Sequence, residues 1–167
     1  VQSGFSEYGC MAPYSVAKMD NIFWLGQNEH GRGMIFMNQG VGAKRISTHA
    51  IEQAISGYAN PTNAKAFCYQ KKGHAFYQIN FEETSWVYDV TTSLWHERAY
   101  LYQGNFQRHR ADVHAFVLGT GHAAATDAAP LSYGDPETGL HLVGDYQSNK
   151  IYVLDDDTMT DDESPIK

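Results

Sequence analysis

The chain has 167 residues and a formal net charge of −7, with 43% hydrophobic and 13% aromatic residues. This length suits one well-packed domain, and the apolar content is that of a folding sequence and not of a disordered one. Frequent Tyr, Phe and Gly favour strands joined by tight turns. The acidic balance, without a long basic stripe, argues against direct, non-specific binding of duplex DNA. No run of about 18 apolar residues is present, so no membrane span is predicted.

Three pairs of apolar segments, each separated by a polar turn, follow one another along the chain. They predict three β-hairpins, because strands are short apolar runs bounded by turn residues. The paired segments are 21–26 with 34–37, 73–81 with 86–89, and 139–145 with 150–155. Further strands are predicted beside the hairpins, at 64–70, 94–101 and 112–119.

One segment departs from this strand pattern and predicts a short helix. It starts at Thr48, which can cap the first turn, and stops at Gly57, which can end the last one. Ile51 and Ile55 lie four positions apart and therefore share one face of the helix. The stretch 120–136 is rich in Ala, Gly and Pro, and predicts an exposed insertion loop.

Units of four antiparallel strands that recur along a chain are typical of β-propeller blades. We predict an all-β fold of antiparallel blade repeats, about three blades in an incomplete ring, with one short helix. A closed propeller needs at least about four blades, so either further blades lie in a longer parent chain or copies associate. Residues 1–167 are expected to form a single blade-repeat domain, a fragment of a longer propeller chain. The predicted structural core of the blades consists of Trp24, Phe36, Phe76, Trp86, Tyr88, Trp95, Leu142 and Tyr152.

The sequence predicts no metal site and no cofactor. Cys10 and Cys68 form no CxxC pair, so we expect two buried thiols and neither a zinc site nor a disulfide. The acidic run 155–163 does not match a calcium-binding EF-hand loop, because Met159 and Thr160 occupy its fifth and sixth positions. It predicts a solvated turn instead. The eight histidines show no HExxH or HxH spacing.

No catalytic residues are predicted either. The segment 95–98 reads Trp-His-Glu-Arg, but alternation along a strand places His96 and Arg98 on one side and Glu97 on the other. An acid–base pair would have to converge on one cleft. The alternative left open is a carbohydrate-binding or carbohydrate-cleaving propeller, which a pocket holding Trp95 or Tyr102 with two carboxylates would favour.

Several segments together resemble the packaged-DNA stabilisation, or tail-hub, family of short-tailed bacteriophages. They include YGCMAPYSV at 8–16, RISTHAIE at 45–52 and GHAFY at 73–77, and the resemblance continues with WVYD at 86–89, LWHER at 94–98, LVGDY at 142–146 and KIY at 150–152. Their order and spacing cover nearly the whole chain except the predicted loop.

This resemblance implies a non-enzymatic structural protein of the virion tail that is assembled in the host cytoplasm. The proteins of the family that this chain resembles are β-propellers, and they attach below the portal and its adaptor after DNA packaging. It implies a hub or plug that helps to retain DNA, binds the portal–adaptor complex and the tail needle protein, and is present in several copies. A homo-oligomer is therefore expected, with no sequence-specific nucleic-acid partner and no membrane.

Overall fold

The chain, described by a computed structural model, is all-β as predicted, with antiparallel sheets and a single α-helix among the described residues. It divides into two compact units, the first ending at His109 and the second starting at Arg110. The expectation of one blade-repeat domain stays a prediction, and the predicted loop 120–136 lies outside the described residues. The structure describes residues 8–27, 29–40, 42–117, 139–154, 160–161 and 164–165.

The first sheet contains the first predicted hairpin. Its strands are β1 (Ala17–Lys18), β2 (Ile22–Gln27), β3 (Gly33–Gln39) and β4 (Gly42–Arg45), antiparallel and in chain order. Phe23 pairs with Met37 and Leu25 with Ile35, so these four side chains project from one face. All four are buried in the core of the first unit.

Two buried serine hydroxyls accept hydrogen bonds from backbone amides of β2 and β3 at positions that the short edge strands β1 and β4 do not reach. The hydroxyl of Ser15 accepts from the Leu25 amide at 2.8 Å, and the hydroxyl of Ser47 accepts from the Ile35 amide at 3.0 Å. Leu25 and Ile35 face each other across β2 and β3. Because a buried amide without an acceptor is costly, each serine stabilises one side of the same strand pair.

The predicted helix is confirmed as α1 (His49–Ser56). At the start of the helix, the Ile51 amide donates to the Thr48 hydroxyl at 3.4 Å. At its end, the Gly57 amide donates to the Ala54 carbonyl at 2.9 Å. The buried side chains of Ile51 and Ile55 belong to the same core as the first sheet. Short 3-10 helices at Pro13–Ser15 and Pro61–Asn63 precede β1 and β5.

The second sheet contains the second predicted hairpin and the strands predicted on either side of it. The sequence prediction missed the last strand of this sheet, at Asn105–Arg108. That strand follows a two-residue turn at Gln103 and Gly104, whose φ angles of 49° and 82° suit a tight hairpin. The antiparallel strands are β5 (Lys65–Lys71), β6 (His74–Asn80), β7 (Ser85–Asp89), β8 (Leu94–Tyr102) and β9 (Asn105–Arg108).

The core of the first unit forms where the two sheets pack face to face with the helix beside them. Tyr77 and Ile79 of β6 and Tyr88 of β7 join the buried face of the first sheet. The Tyr77 ring stacks on Phe23 with centroids 5.0 Å apart, and its hydroxyl donates to the Ser15 carbonyl at 2.9 Å. Two sheets that share an apolar layer are the packing unit of a propeller.

The second unit contains the third predicted hairpin. Its sheet has β10 (Ala111–Val117), β11 (Leu140–Asp145) and β12 (Ile151–Val153) in antiparallel order. Two short segments, β13 (Thr160–Asp161) and β14 (Ser164–Pro165), pair with each other.

A similar turn ends β7 and β11, which supports the inference of repeated units. Asp89 accepts from the Thr91 amide at 2.9 Å and the Thr92 hydroxyl at 2.8 Å. Asp145 likewise accepts from the Gln147 amide at 2.8 Å and from the Ser148 hydroxyl at 2.7 Å, which are also two and three residues later. Burial opposes ionisation of Asp89, but hydrogen bonds from Thr92, His74 and the backbone outweigh it and lower its pKa. These turns are side-chain-capped in the manner of Asx turns.

Candidate interaction surfaces

Three of the predicted blade-core residues lie on the side of the second sheet that faces the shared core. Tyr88 is buried, and Trp86 and Trp95 are partly buried against the same cluster. The indole of Trp86 donates to the Tyr58 hydroxyl at 3.0 Å, and that of Trp95 donates to the Ile46 carbonyl at 2.8 Å. The polar ends of these rings are therefore satisfied.

The other five predicted positions lie on different faces. Trp24 and Phe36 pair across β2 and β3 and project from the outer face of the first sheet, opposite its buried core residues. Phe76 projects from the opposite face of the second sheet, beside Tyr69. Leu142 and Tyr152 project from opposite faces of the third sheet, because their registers place Leu142 opposite Val153 and Tyr152 opposite Val143.

The alternation predicted for residues 95–98 is confirmed, and these side chains do not converge. Glu97 accepts from the Thr84 hydroxyl at 2.8 Å. On the other face, the Arg98 guanidinium lies 5.6 Å from the Tyr69 ring centroid and donates to Gln78 at 3.3 Å. The segment therefore stabilises the sheet on both sides instead of forming an acid–base pair.

Arg98 belongs to a buried polar layer on this outer face of the second sheet. Gln78 and Asn80 are almost fully buried there, and the Gln78 amide nitrogen lies 3.0 Å from Asn80 Oδ1 and 3.2 Å from His109 Nδ1. Burial, with Arg98 and Arg108 nearby, lowers the pKa of His109 to about 4. The imidazole is thus neutral at physiological pH and acts as a hydrogen-bonding group.

The outer face of the first sheet carries an open cavity of about 650 Å³, here called the aromatic groove. Its floor is the buried ring of Phe36, on which the Tyr8 ring stacks at 4.5 Å and the Trp24 ring at 5.7 Å. Tyr8, Gln27, Glu29, Met34, Phe36, Ala43 and Arg45 are among its lining residues.

The described lining of the aromatic groove includes one ion-paired and one solvent-exposed charged residue. The Arg45 guanidinium makes a two-point ion pair with Glu52 of α1, with Nε 2.6 Å from Oε1. Glu29 is the one carboxylate among the described lining residues of the groove, and its side chain is 86% exposed. Neither Trp95 nor Tyr102 is among its described lining residues, and these include no second carboxylate that could pair with Glu29 as glycoside cleavage would need.

The third sheet presents a second surface, here called the aliphatic face. Its members pair directly across β10, β11 and β12 and therefore project on one side of the sheet. None carries a polar side chain, and Val113 and Ile151 are 60% and 72% exposed. The residues of the aliphatic face are Val113, Ala115, Val117, Leu140, Leu142, Gly144, Ile151 and Val153.

The opposite face of the third sheet carries a pair of histidines. His114 Nε2 lies 2.9 Å from His141 Nδ1, so the N–H of one ring donates a hydrogen bond to the nitrogen of the other. Burial and the neighbouring His141 lower the pKa of His114. Two imidazoles alone are fewer than the protein ligands of a zinc site, and no group of three potential ligands occurs among the described residues.

The remaining sequence predictions concern the cysteines and the acidic run. Cys10 is exposed, so the expectation of a buried thiol there is wrong; it pairs with Gly26 in an isolated bridge at the sheet margin. Cys68 is partly buried, and burial raises its pKa to about 12. Most of the run 155–163 lies outside the described residues.

No described helix is long and apolar enough to cross a membrane.

The first two antiparallel sheets pack face to face over one apolar core, and similar capped turns follow β7 and β11, features that are found in the blades of β-propellers. The chain belongs to the Phage_stabilise family, described as "Bacteriophage P22 Gp10, beta-propeller", whose family model matches residues 1–159. A comparison with curated proteins found no match. The family is one of phage structural proteins associated with DNA stabilisation, as the sequence resemblance implied.

Proposed function

We propose that this chain is part of a tail hub that binds below the portal–adaptor complex and helps to retain packaged DNA. The observation that carries this proposal is the family match over residues 1–159. The proposed location is the virion tail, reached by assembly in the host cytoplasm. The proposed partners are the portal–adaptor complex and the tail needle protein.

The architecture is suited to a structural and not a catalytic role. A plug that holds back compressed DNA has to resist deformation, and extended antiparallel ladders with buried cross-links provide such rigidity. Ser15 and Tyr77 connect the two sheets of the first unit in this way. Membership of a phage structural family favours a protein whose biochemistry is binding to other proteins.

The experiment is an add-back assay with DNA-filled heads that lack their tails. The purified protein is mixed with these heads, and bound protein and nuclease-accessible DNA are followed over time. We expect attachment and slower DNA release. Heads whose portal vertex already carries a complete tail serve as the matched control, because their binding position is occupied. Failure of a folded protein to attach to tail-less heads, or equal attachment to both kinds of head, would refute the proposal.

A further inference from the structure

The third sheet carries two ligand-type side chains that the proposed structural role does not use, His114 and His141, here called the histidine pair. Both rings project from the same face, because the register pairs His114 with Val143 and His141 with Phe116 on adjacent strands. His114 Nε2 lies 2.9 Å from His141 Nδ1. No spacing motif marks the pair in the sequence, since its members lie 27 positions apart. The pair is therefore recognisable only in the folded sheet.

The surroundings of the histidine pair hold its two rings in place. Phe116 lies directly opposite His141 in the ladder, and the centroids of these two rings are 4.9 Å apart. The two imidazole rings stack on each other with centroids 5.2 Å apart. Val143, opposite His114, is buried. An apolar surround and ligands whose orientation is fixed in advance both favour metal binding over binding by a single mobile histidine.

The separation of the two facing nitrogens matches one coordination geometry better than another. With metal–nitrogen bonds of about 2.0–2.1 Å, two ligands at a right angle are about 2.8–3.0 Å apart, and two ligands at the tetrahedral angle are about 3.3–3.4 Å apart. The observed 2.9 Å is the separation of adjacent ligands in a square-planar or octahedral complex. Ni²⁺ and Cu²⁺ bind imidazole in tetragonal sites, whereas structural zinc sites are tetrahedral.

Both rings can become ligands without a change in total charge. A neutral imidazole carries one N–H, and in the hydrogen-bonded pair one of the two facing nitrogens carries it. When that ring moves its proton to its other nitrogen and both rings turn toward one ion, each facing nitrogen offers a lone pair. Burial and the neighbouring His141 lower the pKa of His114, which keeps this ring neutral at physiological pH. Protons therefore compete weakly with a metal ion for it.

We propose that His114 Nε2 and His141 Nδ1 together chelate one Ni²⁺ or Cu²⁺ ion, which joins β10 to β11. Water fills the other coordination positions, since no group of three potential protein ligands occurs in the part of the chain that the structure describes. Both histidines are only partly buried, so water and the ion can reach them. This inference goes beyond the proposed tail-hub function, and its test uses the isolated protein without phage particles.

Calorimetric titration of the untagged chain with Ni²⁺ tests the proposal. Ni²⁺ is the probe because Cu²⁺ oxidises exposed thiols, and Cys10 is exposed. We expect His114→Ala and His141→Ala each to bind Ni²⁺ at least about tenfold more weakly than the wild type, because loss of even an outer-shell partner of a ligand costs about 10–100-fold. The matched control His96→Ala removes an exposed histidine of the second sheet and should bind like the wild type. Zn²⁺ should bind the wild type more weakly than Ni²⁺ does.

The melting temperature gives a second measurement. Ni²⁺ should raise it for the wild type and His96→Ala but not for His141→Ala, because an ion that binds only the folded sheet stabilises it by mass action.

Three results would overturn the proposal. One is a folded wild type that binds Ni²⁺ no more tightly than His141→Ala does. Another is a loss of binding in His96→Ala as large as in His114→Ala. The third is tighter binding of Zn²⁺ than of Ni²⁺, which would contradict the right-angle geometry. Circular dichroism shows whether each variant retains its sheets, and His141→Gln replaces an alanine variant that does not fold.

Discussion

Ser15 makes a sharply testable contribution to the fold, because its hydroxyl and its backbone carbonyl together make three buried hydrogen bonds. Its hydroxyl accepts from the Leu25 amide at 2.8 Å and donates to the Ala12 carbonyl at 2.6 Å. Its carbonyl accepts from the Tyr77 hydroxyl at 2.9 Å. Ser15, Leu25 and Tyr77 are all fully buried, so water cannot replace a lost partner.

The replacement Ser15→Ala should lower the free energy of unfolding of the first unit by about 2 to 3 kcal/mol. An orphaned buried amide costs about 1–3 kcal/mol, and the Leu25 amide becomes one. The Ala12 carbonyl loses less, because it still accepts from the Ser15 amide at 2.9 Å. The Tyr77 hydrogen bond is retained, since its acceptor is the backbone carbonyl.

Urea denaturation followed by tryptophan fluorescence measures this change selectively. The chain has three tryptophans, Trp24, Trp86 and Trp95, and all lie in the first unit. Ser56→Ala is the matched control, because its exposed hydroxyl donates only to the Gln53 carbonyl of its own helix. It should change the stability by less than about 0.5 kcal/mol. If Ser15→Ala is as mild as this control, the reasoning about the buried amide is refuted.

Two further predictions concern ionisable groups. The pKa of Asp89 is lowered in the fold, so its carboxylate stabilises the protein above the unfolded pKa of about 3.9, and this contribution is lost as the pH falls through the folded value. In the Asp89→Asn variant, the free energy of unfolding should therefore fall less steeply at acidic pH than in the wild type. Urea denaturation at several pH values measures this, and an equal fall in both proteins would contradict it. Burial raises the pKa of Cys68 to about 12, whereas Cys10 is exposed. Iodoacetamide at pH 8 should thus alkylate Cys10 first, and equal labelling rates by mass spectrometry would count against it.

Local sequence signals were sufficient to predict most elements of the fold. The predicted hairpins correspond to β2–β3, β6–β7 and β11–β12, and the helix has the expected cap at Thr48. Each of these signals lies within one short segment. The strand β9 was missed because its turn, Gln103-Gly104, lacks the Asn or Asp that usually marks a two-residue hairpin turn.

The face on which each aromatic side chain lies could not be predicted in the same way. In a sheet with one solvated face, polar residues alternate with apolar ones and identify the buried side. Here Phe23 and Trp24 are adjacent in β2, and both are large and apolar, so alternation does not distinguish the core face from the outer face. Ser15 and Ser47 were missed for a different reason: their partners lie 10 and 12 positions away.

The third sheet shows that alternation along a strand does not tell which side of a sheet is covered. Along β10 the sequence alternates Val, His, Ala, Phe and Val, a pattern that on its own predicts a buried aliphatic side. The structure instead leaves Val113 and Val117 60% and 46% exposed, while Val143 on the other side of the sheet is buried. A sheet with its polar and aromatic side partly covered and its aliphatic side in solvent is incomplete in energetic terms, because uncovered apolar surface costs free energy in proportion to its area. Ile151 is 72% exposed, so Ile151→Lys removes part of that cost and should make the folded protein more soluble than the wild type; an unchanged solubility in precipitation assays would contradict this reasoning.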